Sequence, residues 1–316
     1  LKNVKVLSIT KKGIEKVEAS YLFKEYVDRI LQIKTKRGRI LRITKSHKLL
    51  VVDKTGMSWK PASLVKVADT IAAPKSLDLS ATNTYTREEA YFLGLFVAEG
   101  SSNPLSITTA EKKIKDWIIR FVKKRFNYNP TVILDKRGRK TKYKILLRKE
   151  TREFLDKLAF SKASTKFIPH EIFTSSLPVV IAFLRGYIDG DGYIGKNVEL
   201  TTKSQTLAYQ LAYLFKTLGI EVTIKKKTVK NKEYFRVFIV GLDRKNILKE
   251  FKKKCSVRNS YYGYPKPIIE FLREIFKKSL SGNRGRLRKR LGKRSLKNYA
   301  YRVLTRGSMV NAINQE

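Results

Sequence analysis

Acidic side chains are scarce in this 316-residue chain: 27 Asp and Glu stand against 69 Lys and Arg, leaving a formal charge of +42. That excess goes far beyond what solubility requires and points to a polyanionic partner. A Lys-rich thermophile surface would enrich Glu in step with Lys, which this composition does not do. Cysteine is nearly missing as well. The single Cys255 excludes a disulfide framework and a cysteine zinc site, and reads as a small buried hydrophobe in a reducing interior. No run of about 18 apolar residues occurs, so no membrane span is expected. An initiator Met and a signal peptide are also lacking, from which an excised or partial segment is expected. The chain does have a 42% hydrophobic fraction, enough for real cores in two or three domains.

Two stretches say nearly the same thing: Phe92-Leu-Gly-Leu-Phe-Val-Ala-Glu99-Gly100 and Leu184-Arg-Gly-Tyr-Ile-Asp-Gly-Asp191-Gly192. Each is an apolar run with a Gly-x-x-x-small pair, Gly94 with Ala98 and Gly186 with Gly190, ending on a carboxylate followed by glycine. A carboxylate at the C-terminal end of a helix faces unpaired carbonyls and the negative end of the helix dipole, so it is badly placed unless a cation lies beside it. Two such ends together would make a cation site. Downstream pieces recur at a nearly constant offset of about 92 residues: Glu99 with Asp191, Ile107-Thr-Thr with Leu200-Thr-Thr, Lys144-Ile-Leu-Leu with Arg236-Val-Phe-Ile. A period this long implies a duplicated domain. The second copy reads as motif helix, strand Val198 to Thr202, helix Thr206 to Leu218, strands Val222 to Lys227 and Tyr234 to Val240, and helix Asp243 to Phe251. Thr86 with Glu89 predicts a capping box for the first motif helix, and Ser176 with Pro178 marks the start of the second.

The doubled motif, its repeat and the lead-in Lys166-Phe-Ile-Pro169 resemble the LAGLIDADG (dodecapeptide) homing endonucleases over residues 86 to 255. The resemblance implies an α+β fold of two pseudo-symmetric αββαββα halves packed through the motif helices, 86–165 and 166–255, acting as a monomeric pseudo-dimer. It implies a site-specific hydrolase of double-stranded DNA, with Mg2+ or Mn2+ held by Glu99 and Asp191 and by the carbonyls of Ala98 and Gly190. Hard oxygen donors suit those ions better than zinc. In the family a basic residue often follows the first strand of each repeat. Lys203 stands there in the second copy, whereas the first has Ala110, with Lys112 or Lys113 as substitutes. The localisation that follows is intracellular, cytoplasmic, at nucleoid DNA.

Basic residues gather in strand-loop-strand segments suited to a major groove: Arg137, Arg139, Lys140, Lys142 and Lys144 in the first copy, Lys225, Lys227, Lys230, Lys232 and Arg236 in the second. Residues 256–316 read as a basic helical extension, with Arg286, Arg288 and Arg290 in an arm for phosphate.

Residues 1–80 differ in character: alternating segments Val4 to Thr10, Asp28 to Lys36 and Arg39 to Ile43 predict a small all-β domain. Within it, Thr44-Lys-Ser-His47 and the later Trp59 to Asp69 resemble intein splicing (Hint) domains. There such a Thr and His polarise the first scissile peptide bond. The usual opening Cys or Ser and closing His-Asn are absent, so the module is read as partial, with Thr44 and His47 vestigial and no splicing expected. His170, beside Pro169, reads as structural. The alternatives are a catalytically weak DNA-binding protein or RNA maturase of the same fold, and a protein-splicing element.

Overall fold

The computed structural model describes residues 4–10, 13–21, 23–53, 56–67, 69–74, 84–136, 141–158, 162–194 and 198–239. Asp243 to Phe251, Cys255, the basic extension, and Arg137, Arg139 and Lys140 lie outside them. The described residues form two compact units, 4–45 with 73–239 and, separately, 46–72.

The N-terminal strands make small antiparallel sheets. In the larger unit β1 (Lys5–Thr10) pairs with β2 (Gly13–Glu18), and β3 (Leu31–Lys34) with β4 (Ile40–Ile43). In the smaller unit β5 (Lys48–Asp53) lies between β6 (Gly56–Pro61) and β7 (Thr70–Ile71), and Lys60 joins Asp53 and Asp69 at 2.8 and 3.4 Å.

After residue 84 the element order runs twice. The first pass is α1 (Arg87–Glu99), β8 (Gly100–Ser102), β9 (Leu105–Thr109), α2 (Lys112–Phe126), β10 (Thr131–Asp135), β11 (Lys142–Leu146). Short helices α3 (Lys149–Phe154) and α4 (His170–Phe173) precede the second: α5 (Leu177–Asp191), β12 (Gly192–Ile194), β13 (Val198–Thr202), α6 (Gln205–Thr217), β14 (Val222–Val229), β15 (Lys232–Ile239). The sheets share one antiparallel order, β10-β11-β9-β8 and β14-β15-β13-β12. The three-residue strand after each motif helix is an element that residue patterning alone does not reveal.

Local chemistry explains the helix bounds. Thr86 caps α1 by accepting from Glu89 N–H at 3.2 Å while Glu89 Oε2 accepts from Thr86 N–H at 2.8 Å, closing the expected capping box. Arg125, at the far end of α2, donates to the same carboxylate at 2.8 Å. Ser176 precedes α5, and Pro178 sits in its first turn, where no backbone donor is needed.

α1 and α5 cross at almost no separation. A Cβ on Gly94 would lie 2.1 Å from the Phe183 carbonyl oxygen, and one on Gly186 would lie 2.0 Å from that of Tyr91, so only glycine permits this approach. Tyr91 Oη donates across the seam to Asp189 at 3.0 Å. Phe92, Phe96, Phe183 and Tyr187 fill the buried surroundings. A fully buried side chain of this size contributes about 1.5–3 kcal/mol, so burial around the crossed helices stabilises the joining of the repeats. Among the described residues no helix is long and apolar enough to cross a membrane.

Candidate metal centre and nucleic-acid face

Glu99 and Asp191 are the last residues of the two crossed helices. The Gly100 and Gly192 amides donate back to Phe96 and Ile188, so the final turns satisfy those carbonyls and leave the ones beyond to other donors. Gly190 brings the ends together: a Cβ there would meet Ala98 Cβ at 2.7 Å and Glu99 Cγ at 3.5 Å.

The electrostatics register this closeness. Burial raises the Glu99 pKa, opposed by the charges of Lys166 and Lys142. Crowding by protein and then the Glu99 charge push Asp191 up to about 6, with Lys166 opposing, although the residue as a whole keeps substantial exposure. Tyr187, fully buried beneath, is raised by burial and by both carboxylates, and its hydroxyl is hydrogen-bonded with Thr202. Two anions repelling each other at adjoining helix ends call for a cation.

The chain puts one there. Lys166 donates from Nζ to the Ala98 carbonyl oxygen at 2.8 Å, and it lies in the field of both acids. Burial lowers its pKa, and Glu99 and Asp191 oppose that drop. Ile168 N–H donates to Gln210 at 2.8 Å and Ser204 Oγ donates to the Lys166 carbonyl at 2.6 Å, so the connector holding the ammonium is tied to α6. Among the described residues no group of three or more His, Cys, Asp or Glu stands together. The donors at this position are two carboxylates and helix-end carbonyls, a hard oxygen set that fits Mg2+ or Mn2+.

The exposed faces of the two sheets carry the basic residues. On the second, Lys225 and Lys227 of β14 stand opposite Arg236 and Tyr234 of β15. Lys230 and Asn231 turn the hairpin with φ of 48° and 57°, leaving Lys230 and Lys232 exposed. On the first, Lys144 of β11 lies between Thr108 and Ile133, and Lys142 at the strand start is exposed.

Residues 178–255 match a family described as LAGLIDADG-like domain. The match is confined to that segment of the chain. It begins in the first turn of α5 and takes in β12 to β15. A replication factor C small subunit from Methanocaldococcus jannaschii is 33% identical over 249 residues, which is 75% of this chain and 13% of that protein. A DNA polymerase from Thermococcus aggregans is 32% identical over 206 residues, 61% of this chain and 10% of its own. The chain thus spans only a small part of the length of either relative. Among solved structures, the homing endonuclease I-DmoI with DNA and Mn aligns at 17% identity and a TM-score of 0.40, over 52% of this chain and 94% of its own.

The matched segment and its partner repeat bring Glu99, Asp191, Ala98 and Gly190 to one place. Lys203 follows β13 with Nζ 5.5 Å from the Tyr234 ring centroid, and its described contact is with that ring. Near Glu99 it is Lys142, not Lys112 or Lys113, whose charge is felt. Arg236 is tied to Glu199 by a fork of two hydrogen bonds. Thr44 follows β4, and exposed His47, ahead of β5, has its carbonyl taken by Ala62 N–H at 2.8 Å. Sequence reasoning noticed Lys166 only as part of a motif; the signal it offered was a lysine two residues before Ile168-Pro169, where a bare turn needs no charge.

Proposed function

We propose that this chain is a site-specific double-strand DNA endonuclease of the LAGLIDADG type, carried as an insertion within a host protein. The observation that carries the reading is the pair of acids at a glycine-tight helix seam, with a lysine ammonium on the Ala98 carbonyl and in the field of both. Support for the insertion comes from the relatives: a DNA polymerase and a replication factor C small subunit differ in name, yet each contains a matching segment that is a small part of its length. The β-rich N-terminal strands fit a splicing-type module.

Glu99, Asp191, the Gly190 carbonyl and the lone pair of the Ala98 carbonyl that Lys166 leaves would hold the divalent ion, which when bound supplies an acidified water and relieves charge on the phosphoryl oxygens. Lys166 keeps a positive N–H donor beside the same position, suited to charge that develops as the phosphodiester opens. Tyr187, kept neutral by burial, braces the floor beneath the acids. Exposed lysines of β14, β15 and β11 hold the duplex by phosphate, and the strand faces read base edges. Since the faces differ between repeats, the target is long and asymmetric, and one chain acts as a pseudo-dimer.

The test is incubation with a duplex library and magnesium, followed by the same assay with Glu99→Gln and Asp191→Asn. Wild type should enrich and cut one site, and the variants should enrich the same site while leaving it whole. A wild-type chain that selects a site and cuts neither strand with any divalent ion would reduce the proposal to a DNA binder. Preferential selection of structured RNA would favour a maturase.

A further inference from the structure

The second sheet presents one carboxylate on its exposed basic face, and that carboxylate is engaged. Glu199 of β13 alternates outward with Thr201, while Val198, Leu200 and Thr202 are buried. Arg236 donates from Nε to Glu199 Oε1 and from Nη2 to Oε2, and Thr201 Oγ1 donates to the same carboxylate at 3.4 Å. The guanidinium also lies over the Phe238 ring, 4.6 Å from its centroid. Arg236 is thereby fixed on two sides, at the centre of the face, with β13 on one flank and β14 on the other.

A phosphate contact asks for none of this. Phosphates are met from any direction by a mobile ammonium, and Lys225, Lys227, Lys230 and Lys232 around Arg236 already provide that. A guanidinium forked to a carboxylate through Nε and Nη2 keeps its other edge, Nη1 with the second Nη2 hydrogen, in a fixed plane. Among the described residues nothing accepts from Nη1. A rigid planar pair of donors matches a rigid planar pair of acceptors, and the major-groove edge of guanine, O6 with N7, is that pair.

We propose, resting on the DNA-recognition reading above, that Arg236 reads one guanine in the half-site met by the second repeat, and that Glu199 is its positioning residue. The first repeat has no counterpart. Repeat alignment puts Ser106 where Glu199 stands and Lys144 where Arg236 stands, and Ser106 is buried and donates to the Pro104 carbonyl. The guanine requirement therefore belongs to one half-site alone.

Base preference is measured by selecting duplexes from a randomised library with the full chain in calcium, and the selected site is then titrated with each base pair substituted. Wild type should show one position where guanine is preferred by about tenfold or more. Arg236→Lys, which keeps the charge, should flatten that position and leave the rest of the selected sequence intact. Glu199→Gln should do the same while tightening binding to unselected DNA a few-fold, because it removes a negative charge from the face. A merely structural Glu199 would move every position together, and thermal melting of each variant shows whether its fold is kept. If the wild type selects sharply and both variants select the same bases, this assignment is overturned alone. If the wild type selects no sequence, the recognition reading falls and takes the assignment with it.

Discussion

The two repeats share a backbone plan and differ in almost everything laid upon it. Both run helix, two strands, helix, two strands with the same sheet order. The first fills its core with rings: Phe92 stacks on Phe121 at 4.7 Å, Trp117 on Phe121 at 5.2 Å, and Phe126 meets Phe154 at 5.6 Å. The second uses Leu207, Leu211, Leu214 and Val222 with Phe215 and Phe235. Its exposed face carries Glu199, Arg236, Lys225 and Lys227, where the first has a buried Ser106 in place of Glu199 and then Lys144, Ile133 and Asp135. What stays alike is the pair of crossed helices. Cores tolerate changed shapes when volume is conserved, and faces change with the ligand, but a seam set by missing side chains admits little variation.

The sharpest probe of that contrast is Lys166, one ammonium facing the acids of both repeats. Lys166→Met should slow cleavage by about a hundredfold or more, the usual cost of losing one donor from a reacting centre, with binding of the selected duplex nearly unchanged. Strand-resolved gels add detail. If the lysine serves both repeats equally the two strands slow together, and nicked product would assign it to one.

Next come the seam glycines. Gly94→Ala and Gly186→Ala gain about 1 kcal/mol of helix propensity, but each drives a methyl into a carbonyl oxygen of the other helix at 2.1 or 2.0 Å. Overpacking costs about 1–3 kcal/mol or more, so both variants should melt lower. Gly190→Ala meets a side chain, not backbone, and should lose less. A higher melting point for Gly94→Ala would show that the seam can open.

The helix starts differ too. Thr86→Ala should lower stability by about 1 kcal/mol through the lost cap, whereas α5 has no side-chain cap bond at Ser176 to lose. Glu89 extends this to pH. Burial raises its pKa, but bonds from the Thr86 backbone and Arg125 outweigh that and leave it lowered. A carboxyl with a lower pKa folded than unfolded stabilises above its unfolded value of about 4.3. That contribution fades as pH falls through the folded value. The melting-point deficit of Glu89→Gln at pH 7 should therefore close on acidification.

The smallest effect is electrostatic. Lys230→Ala and Lys232→Ala should each flatten the salt dependence of DNA binding by about one unit of slope, evenly across sequences. Lys226→Ala should do less, since Glu233 already holds that ammonium at 2.9 Å.

Much of this was legible in the chain. Gly94, Ala98, Gly186 and Gly190 marked the seam, Glu99 and Asp191 its acidic end, and Thr86 with Glu89 the start of α1. These signals are local, carried by spacing along one helix. Gly100–Ser102 and Gly192–Ile194 were missed as strands because three residues opening on glycine give no alternation to detect. The partners of Lys166 and Arg236 were missed for another reason. Ala98 and Glu199 lie 68 and 37 residues away in sequence, and only the folded sheets and helices bring them into reach.

The turn between β3 and β4 has one more effect. Ile224, on the outer strand β14, gives its amide to the Arg37 carbonyl at 2.9 Å, Tyr209 bonds Gly38, and Arg39 meets Glu221 at 2.5 Å. Gly38, at φ +82°, has no room for a methyl against the Ile224 carbonyl. An outer strand with free amides invites another copy of the chain to pair with it. This clasp occupies the Ile224 amide on that edge, so a chain trimmed of its first forty-odd residues should keep Glu99 and Asp191 in place and yet begin to self-associate through β14.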